Sequence, residues 1–396
     1  MSESTPVRPG RPSRRLRFSV TVVLLAGLGL VVWWRLRPAE HPQGVSAEDY
    51  KTAERKFLAL YRRKPDRGDV LSLAAELAVQ EGRLPTAVAC FHAIPSTTRR
   101  YGLAARLQEG QVLLQLNRAR DAEQNFQELL ARADDMTVQE DQVIAAAKRL
   151  GYILSVELRF EERRALLAQV HARGQADLFD SKQYFFPSLL IWHSSTGRHR
   201  LTEFLEQDPE NSLLITARGR YLTAEGRLTE ARELLDEQRR QGSDDLRCTA
   251  ALLECLFETS VWPGFIELAE TLPAYEIGES WLLTRMRGEF DLYERRWENA
   301  ARHFELVLEK DPADPACHMG LARAYAELQR PHDRDEIQRR ALILARIRVN
   351  LVNVNDGDYD AVVELAGACE KIGFSEAAQT FGQHALRIER ASRGGT

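Results

Sequence analysis

Near the C-terminal end, Asp356, Asp358 and Asp360 set carboxylates around Gly357 and Tyr359, which is the chemistry of a hard divalent cation. With Gly357 as the loop glycine, the first, third and twelfth ligand positions fall on Val352, Val354 and Val363. A twelve-residue calcium loop therefore fails, and the stretch reads as a turn followed by an acidic helix start. His193, Ser194, Ser195 and Thr196 put hydroxyls beside an imidazole, but adjacency in sequence is not the geometry of a nucleophile and its base. Gly197 lies 29 residues before Gly226, where an inter-helix turn is due. Five cysteines invite disulfide or zinc chemistry. Cys248 and Cys255 sit seven apart on one expected helix, ~10 Å along its axis and beyond the ~7 Å reach of a bridge. Cys90, Cys317 and Cys369 are flanked by apolar helix positions, no CxxC or Cys/His spacing occurs, and all five read as small core residues. Walker, GxSxG and HExxH motifs are missing, and Gly27 and Gly29 lie inside an apolar run. The expectation is a chain with no catalytic residues, no metal and no cofactor.

What positions such side chains is a period of about 34 residues. A large–small–large apolar signature at i, i+3, i+7 recurs as Tyr50/Ala53/Phe57, Leu84/Ala87/Phe91, Ala119/Ala122/Phe126, Leu228/Ala231/Leu235, Trp262/Phe265/Ala269, Trp297/Ala300/Phe304 and Phe374/Ala377/Phe381. Central residues step by 34, 35, 34 and 35, and gaps of 109 and 77 are close to three and two periods. That spacing means stacked units that bury their apolar faces against one another. Twelve residues before the small residue stands another: Ala75, Gly110, Gly219 and Gly288 precede Ala87, Ala122, Ala231 and Ala300. Small residues at matched heights let two helices approach, with Gly82, Asn117 and Gly226 marking the turn between them. Pro65 and Pro312, twelve residues past Ala53 and Ala300, stop the second helix.

This grammar resembles the tetratricopeptide repeat family, best over residues 281–314 and in outline over roughly 46–390. Copies near 163, 202 and 337 depart from it, with Arg163 and Thr202 where a small residue belongs. The resemblance implies an all-α, right-handed solenoid of about nine helix pairs after one leading helix. It also implies that the first helix of each pair lines a concave face that binds a peptide or helix of another protein. On that face the candidate partner-binding residues are Lys148, Tyr152, Arg220, Glu254, Arg285, Glu289 and Arg323. Arg220, Arg285 and Arg323 could grip an acidic segment bidentately, or be neutralised by Glu254 and Glu289 between them. The mixed signs do not match the family's carboxylate-clamp variant.

Ahead of the repeats, Phe18 to Trp34 is 17 residues without a charge, ~25 Å as a helix and enough for a short transmembrane span. Arg8, Arg11, Arg14, Arg15 and Arg17 precede it and only Arg35 and Arg37 follow. That asymmetry predicts a cytoplasmic amino end and an exported body. A cleaved signal peptide is the alternative. Residues 1–45 carry +5, leaving −9 for the rest to reach the overall −4, and a mildly acidic body argues against a nucleic-acid partner. Arginine outnumbers lysine 47 to 7, a bias that accompanies GC-rich bacterial coding. The expected organisation is a basic cytoplasmic tail at 1–17, a transmembrane helix at 18–34, a linker at 35–45, the solenoid at 46–390 and a disordered tail at 391–396.

Where the register fades, Tyr184, Phe185, Phe186 and Trp192 crowd around Pro187, either as the core of an irregular repeat or as an exposed apolar docking patch. The functional expectation is a non-enzymatic, membrane-anchored interaction scaffold on the periplasmic side of a bacterial inner membrane. It would be an accessory subunit or chaperone of an envelope complex, with protein or peptide partners and no small-molecule substrate. An enzyme with its site in the irregular region 160–210 is the rival.

Overall fold

The computed structural model describes residues 68–135, 139–187, 195–242, 245–276, 278–351, 354–355 and 357–394. The expected tail, span, linker and leading helix, the first signature at Tyr50/Ala53/Phe57, Pro65, His193, Trp192 and Asp356 lie outside them. Among the described residues no helix is long and apolar enough to cross a membrane.

Eighteen α-helices make up the described chain. They are α1 (Gly68–Gln80), α2 (Leu84–His92), α3 (Gly102–Gln115), α4 (Ala119–Leu130), α5 (Glu140–Val156), α6 (Phe160–Ala172), α7 (Leu178–Phe185), α8 (Ser195–Gln207) and α9 (Ser212–Ala224). They continue as α10 (Leu228–Arg240), α11 (Leu246–Glu258), α12 (Trp262–Glu270), α13 (Trp281–Tyr293), α14 (Trp297–Lys310), α15 (Pro315–Glu327), α16 (Pro331–Leu351), α17 (Tyr359–Lys371) and α18 (Ser375–Gly394). The chain divides into two compact units, Met1–Ile94 and Pro95–Thr396. In the first, α1 and α2 form a hairpin whose Ala75 and Ala87 are both fully buried. The rest of the description concerns the second unit unless stated.

One turn recurs in eight hairpins among the described residues. A residue with positive φ ends the first helix at Gly82, Asn117, Leu158, Gly226, Ser260, Arg295, Gln329 and Gly373. The next backbone N–H then bonds the carbonyl five residues back, as in Arg83 to Ala78 (2.8 Å), Arg159 to Leu154 (2.8 Å) and Arg296 to Asp291 (2.8 Å). This satisfies a carbonyl that the helix end would leave bare. From α9 onward the first helices open on side-chain caps instead, whereas α3 and α5 have none. Asn211, Asp245, Ser280, Asp314 and Asp358 accept backbone N–H groups of α9, α11, α13, α15 and α17. The Asp358 cap is the acidic helix start expected there.

Ala122, Ala231, Phe265, Ala300 and Ala377 are at most 1% exposed, as are Phe126, Leu235, Phe304 and Phe381. The helix crossing differs from expectation in one respect. A Cβ on Gly110, Gly219 or Gly288 would meet Phe126, Leu235 or Phe304 at 2.5, 2.6 and 2.8 Å, so each glycine faces the large residue four places beyond the small one. The close approach is of a backbone to a side chain. Leu158 stands five residues before Arg163 as Gly82 stands before Ala87, which confirms Arg163 in the small-residue position, 3% exposed. In α8 the buried positions are Gly197, Leu201 and Phe204, spaced as Ala300, Phe304 and Val307 are in α14, so the small-residue position is Gly197 and the exposed Thr202 lies five residues past it. Gln329 sets the equivalent position in α16 at Arg334, three residues before 337. Gly197 lies in the first turn of α8 rather than between helices, and α18 continues to Gly394, past the expected tail boundary at 390.

The irregular middle closes the second unit on itself. Leu178, Phe185 and Phe186 join one apolar cluster with Leu344, Ile347, Leu365, Phe381 and Ala385 of α16, α17 and α18. Phe186 stacks on Phe381 at 6.1 Å, the Ser181 hydroxyl meets His384 Nε2 at 3.0 Å, and Lys182 Nζ donates to the Val354 carbonyl at 2.6 Å. The exposed apolar docking patch is therefore corrected: Phe185 is 9% and Phe186 0% exposed. Their apolar area is covered by a helix some 200 residues further along, and Tyr184 leans on His171 at 4.6 Å.

Candidate functional site

A cavity of about 530 Å³ opens in the second unit, walled by like faces of successive first helices. Leu213, Ala217 and Arg220 come from α9, Arg247, Ala250 and Glu254 from α11, Trp281, Leu282 and Arg285 from α13, and Pro315 and Ala316 from α15. Stacking at a 34-residue period is what brings Arg220 and Glu254, 34 apart in sequence, side by side. The start of α6 closes the cavity from across, with Glu157, Arg159, Phe160, Glu161 and Glu162.

Its charges are largely paired within the protein. Glu254 accepts from Arg220 Nε at 2.9 Å and from an Arg285 terminal nitrogen at 2.6 Å. Burial pushes the Glu254 carboxyl up, but the two guanidinium groups outweigh that and hold it below its usual range. Arg220 also reaches the Leu158 carbonyl at 3.4 Å, and Arg285 comes within 3.8 Å of Asp314. A second knot centres on Arg159, which bonds Glu123 (2.8 Å), Glu157 (2.7 Å) and Glu162 (2.6 Å) at once. Burial, reinforced by the nearby Glu123 and Glu162 charges, pushes Glu157 up to about 7 despite Arg159. Glu161 is likewise pushed up to about 7 by burial, against the Trp281 N–H and the more distant Arg247 and Arg220. That N–H is the backbone amide of Trp281, which donates to Glu161 Oε1 at 2.6 Å, a bond across the cavity between residues 120 apart in sequence. Arg163, deep behind this wall, donates to Ser155 Oγ and to the Pro187 carbonyl at 3.1 Å each; burial lowers its pKa to about 10.

Of the residues expected on the concave face, Arg220, Glu254 and Arg285 line the cavity together. Glu289 and Arg323 stand outside its lining, 3.5 Å apart, with Arg323 exposed. Lys148 and Tyr152 are also outside it: Lys148 is tied to Asp177 (2.5 Å) and Asp180 (2.9 Å) at the start of α7, and Tyr152 faces solvent. Of the two readings of these arginines the neutralised one holds and the free grip is corrected: Arg220 and Arg285 share Glu254, and Arg323 pairs with Glu289. Periodicity alone missed Glu157, Arg159, Glu161 and Trp281. The signal was present as three carboxylates and an arginine within six residues, 157–162, in a stretch where the repeat pattern is weak.

All five cysteines are buried and unbridged, as expected, and burial raises the thiols of Cys248, Cys255, Cys317 and Cys369, the last to about 12. Among the described residues no group of three or more histidine, cysteine or acidic side chains converges as a metal would require.

This architecture is an all-α, tetratricopeptide-like helical repeat. Residues 286–333, running from within α13 into α16, match the family model described as tetratricopeptide repeat, and the chain carries that repeat there. No curated protein matches the chain. Among solved structures, a tetratricopeptide repeat protein from Parabacteroides merdae is 12% identical over 65% of this chain and 98% of its own, with a TM-score of 0.31. Human IFIT1, solved as a dimer with PPP-AAAA, is 14% identical over 88% and 96%, TM-score 0.36. The Cut9–Hcn1 hetero-tetramer of APC/C is 14% identical over 86% and 78%, TM-score 0.34.

Proposed function

We propose that this chain is a non-catalytic interaction scaffold, held to a bacterial inner membrane by residues 18–34, whose cavity receives a segment of a partner protein on the periplasmic side. The observation that carries this reading is the cavity itself, about 530 Å³ of concave space built from equivalent faces of α9, α11, α13 and α15. An extended or helical segment laid across such repeats meets the same kind of wall at each step, which is how a solenoid turns stacking into a binding surface. The charges there are engaged in holding the wall together, a role that suits a rigid receptor more than acid–base turnover. The arginine asymmetry around residues 18–34 supports export of the repeats, and an accessory or chaperone role in an envelope assembly follows from that placement.

Two measurements test it. A reporter active only outside the cytoplasm, fused after Thr396, gives signal, and its cytoplasmic counterpart stays silent; the reverse pattern removes the envelope reading. A photoreactive residue replacing Leu282 in the cavity captures a discrete partner in living cells, and one replacing the exposed Arg302 does not. Equal capture from both positions would mean the cavity is not the receptor.

A further inference from the structure

The carboxylates around the cavity are not equivalent. Glu254 has two guanidinium partners, and Glu157 and Glu162 share Arg159. Glu161 is different: its Oε1 accepts the Trp281 N–H at 2.6 Å, and among the described residues no cation comes within ion-pairing distance of it. Arg247 from α11 is drawn instead towards Glu162 at 3.5 Å, and Arg220 from α9 is fixed on Glu254. The lining as a whole holds seven carboxylates and five arginines, an excess of two negative charges once Glu157 and Glu161 are ionised. Resting on the reading of the cavity as the partner site, we infer that it takes a basic segment of the partner, seating a lysine or arginine head group on the second oxygen of Glu161.

The walls fit the rest of such a side chain. Leu158, Phe160, Leu213 and Leu282 face the same space and offer apolar surface to a methylene stem, while the charge reaches the carboxylate. An incoming cation also relieves an existing cost. Burial raises Glu161 to about 7, with only the Trp281 N–H, Arg247 and Arg220 opposing and Glu162 adding to the rise. A bound ammonium or guanidinium would hold the group ionised. Binding of a basic segment therefore strengthens as the pH climbs through about 7, and Glu157, raised to a similar value, acts in the same direction.

The test uses the full-length chain and three fluorescein-labelled, photoreactive peptides of one neutral Gly/Ser framework, bearing lysine, glutamate or glutamine at the same three positions. By fluorescence anisotropy at pH 8 the lysine peptide binds at least tenfold tighter than the glutamate peptide and weakens severalfold at pH 6. Glu161→Gln keeps an acceptor for the Trp281 N–H, so the wall survives. It lowers lysine-peptide affinity about fivefold and flattens the change between pH 6 and 8, leaving the part that Glu157 supplies. A preference for the glutamate peptide, or a Glu161→Gln protein that binds the lysine peptide like the parent, overturns the inference. Labelling of the cavity by all three peptides with equal affinity sinks the charge preference and leaves the partner cavity standing. No labelling of the cavity by any of them sinks both.

Discussion

Adding one methyl group at Gly320 should destabilise the chain, whereas adding the same group at Gly367 should stabilise it. Both are glycines inside helices, α15 and α17, and a helix-interior Gly→Ala change is ordinarily worth up to about 1 kcal/mol in favour of alanine. The surroundings decide the sign. A Cβ at Gly320 would sit 2.4–2.7 Å from three atoms of the Phe304 ring, where ordinary contacts begin near 3.4 Å, so the ring must move by about 1 Å. Phe304 is fully buried, and the same ring tip lies against Gly288 of α13, which leaves it little room to yield. Overpacking of this kind costs about 1–3 kcal/mol and outweighs the propensity gain, so Gly320→Ala should lose on the order of 1 kcal/mol net. At Gly367 nothing lies within 4 Å of the new methyl, and the change should gain about 0.5–1 kcal/mol. Solenoids do not always unfold in one step, so urea midpoints should be read together with hydrogen exchange of α13–α15 and of α17. If Gly320→Ala raised the midpoint as Gly367→Ala does, the packing of α14 between α13 and α15 would be wrong.

Ala300→Leu, at a fully buried helix crossing, should cost about 1–3 kcal/mol, while exposed Glu298→Gln should stay within about 0.5 kcal/mol; thermal melts that fail to separate the two would mean a wrong register. Glu254→Ala strips the shared partner from two mostly buried guanidinium groups and should cost about 3 kcal/mol, near the lower end for breaking a buried pair. A loss below about 1 kcal/mol would show that water or other acceptors replace it. Glu161 titrates at about 7 in the folded chain against an ordinary 4.5, so between those values the unfolded chain releases a proton that the folded chain keeps. Its contribution is present in full below about pH 4.5 and is lost as the pH rises to about 7. Denaturation of Glu161→Gln from pH 5 to 8 should show a flatter decline than the parent, and an unchanged slope would contradict the burial assigned to this group.

The hairpin was legible in the sequence because everything that makes it is local. Ala87, Ala122, Ala231 and Ala300 with their large neighbours fix one buried stripe per second helix, and Gly82, Asn117 and Gly226 announce the left-handed turn. The same turn at Leu158, Ser260, Arg295 and Gln329 was not legible, because those residue types carry no preference for positive φ and adopt it only where the flanking helices impose it. The side-by-side placement of Arg220 and Glu254 followed from the repeat length. That one carboxylate would engage both Arg220 and Arg285 did not, since it depends on rotamers and ångström-scale spacing. Two features belong to the tertiary structure alone: the burial of Phe185 and Phe186 against α18, and the Trp281 N–H reaching Glu161 across 120 residues. A period states how each unit meets the next. Where the stack meets itself depends on small rotations accumulated over several units, and the faded register around α7 marks an irregular helix without naming the surface it packs on.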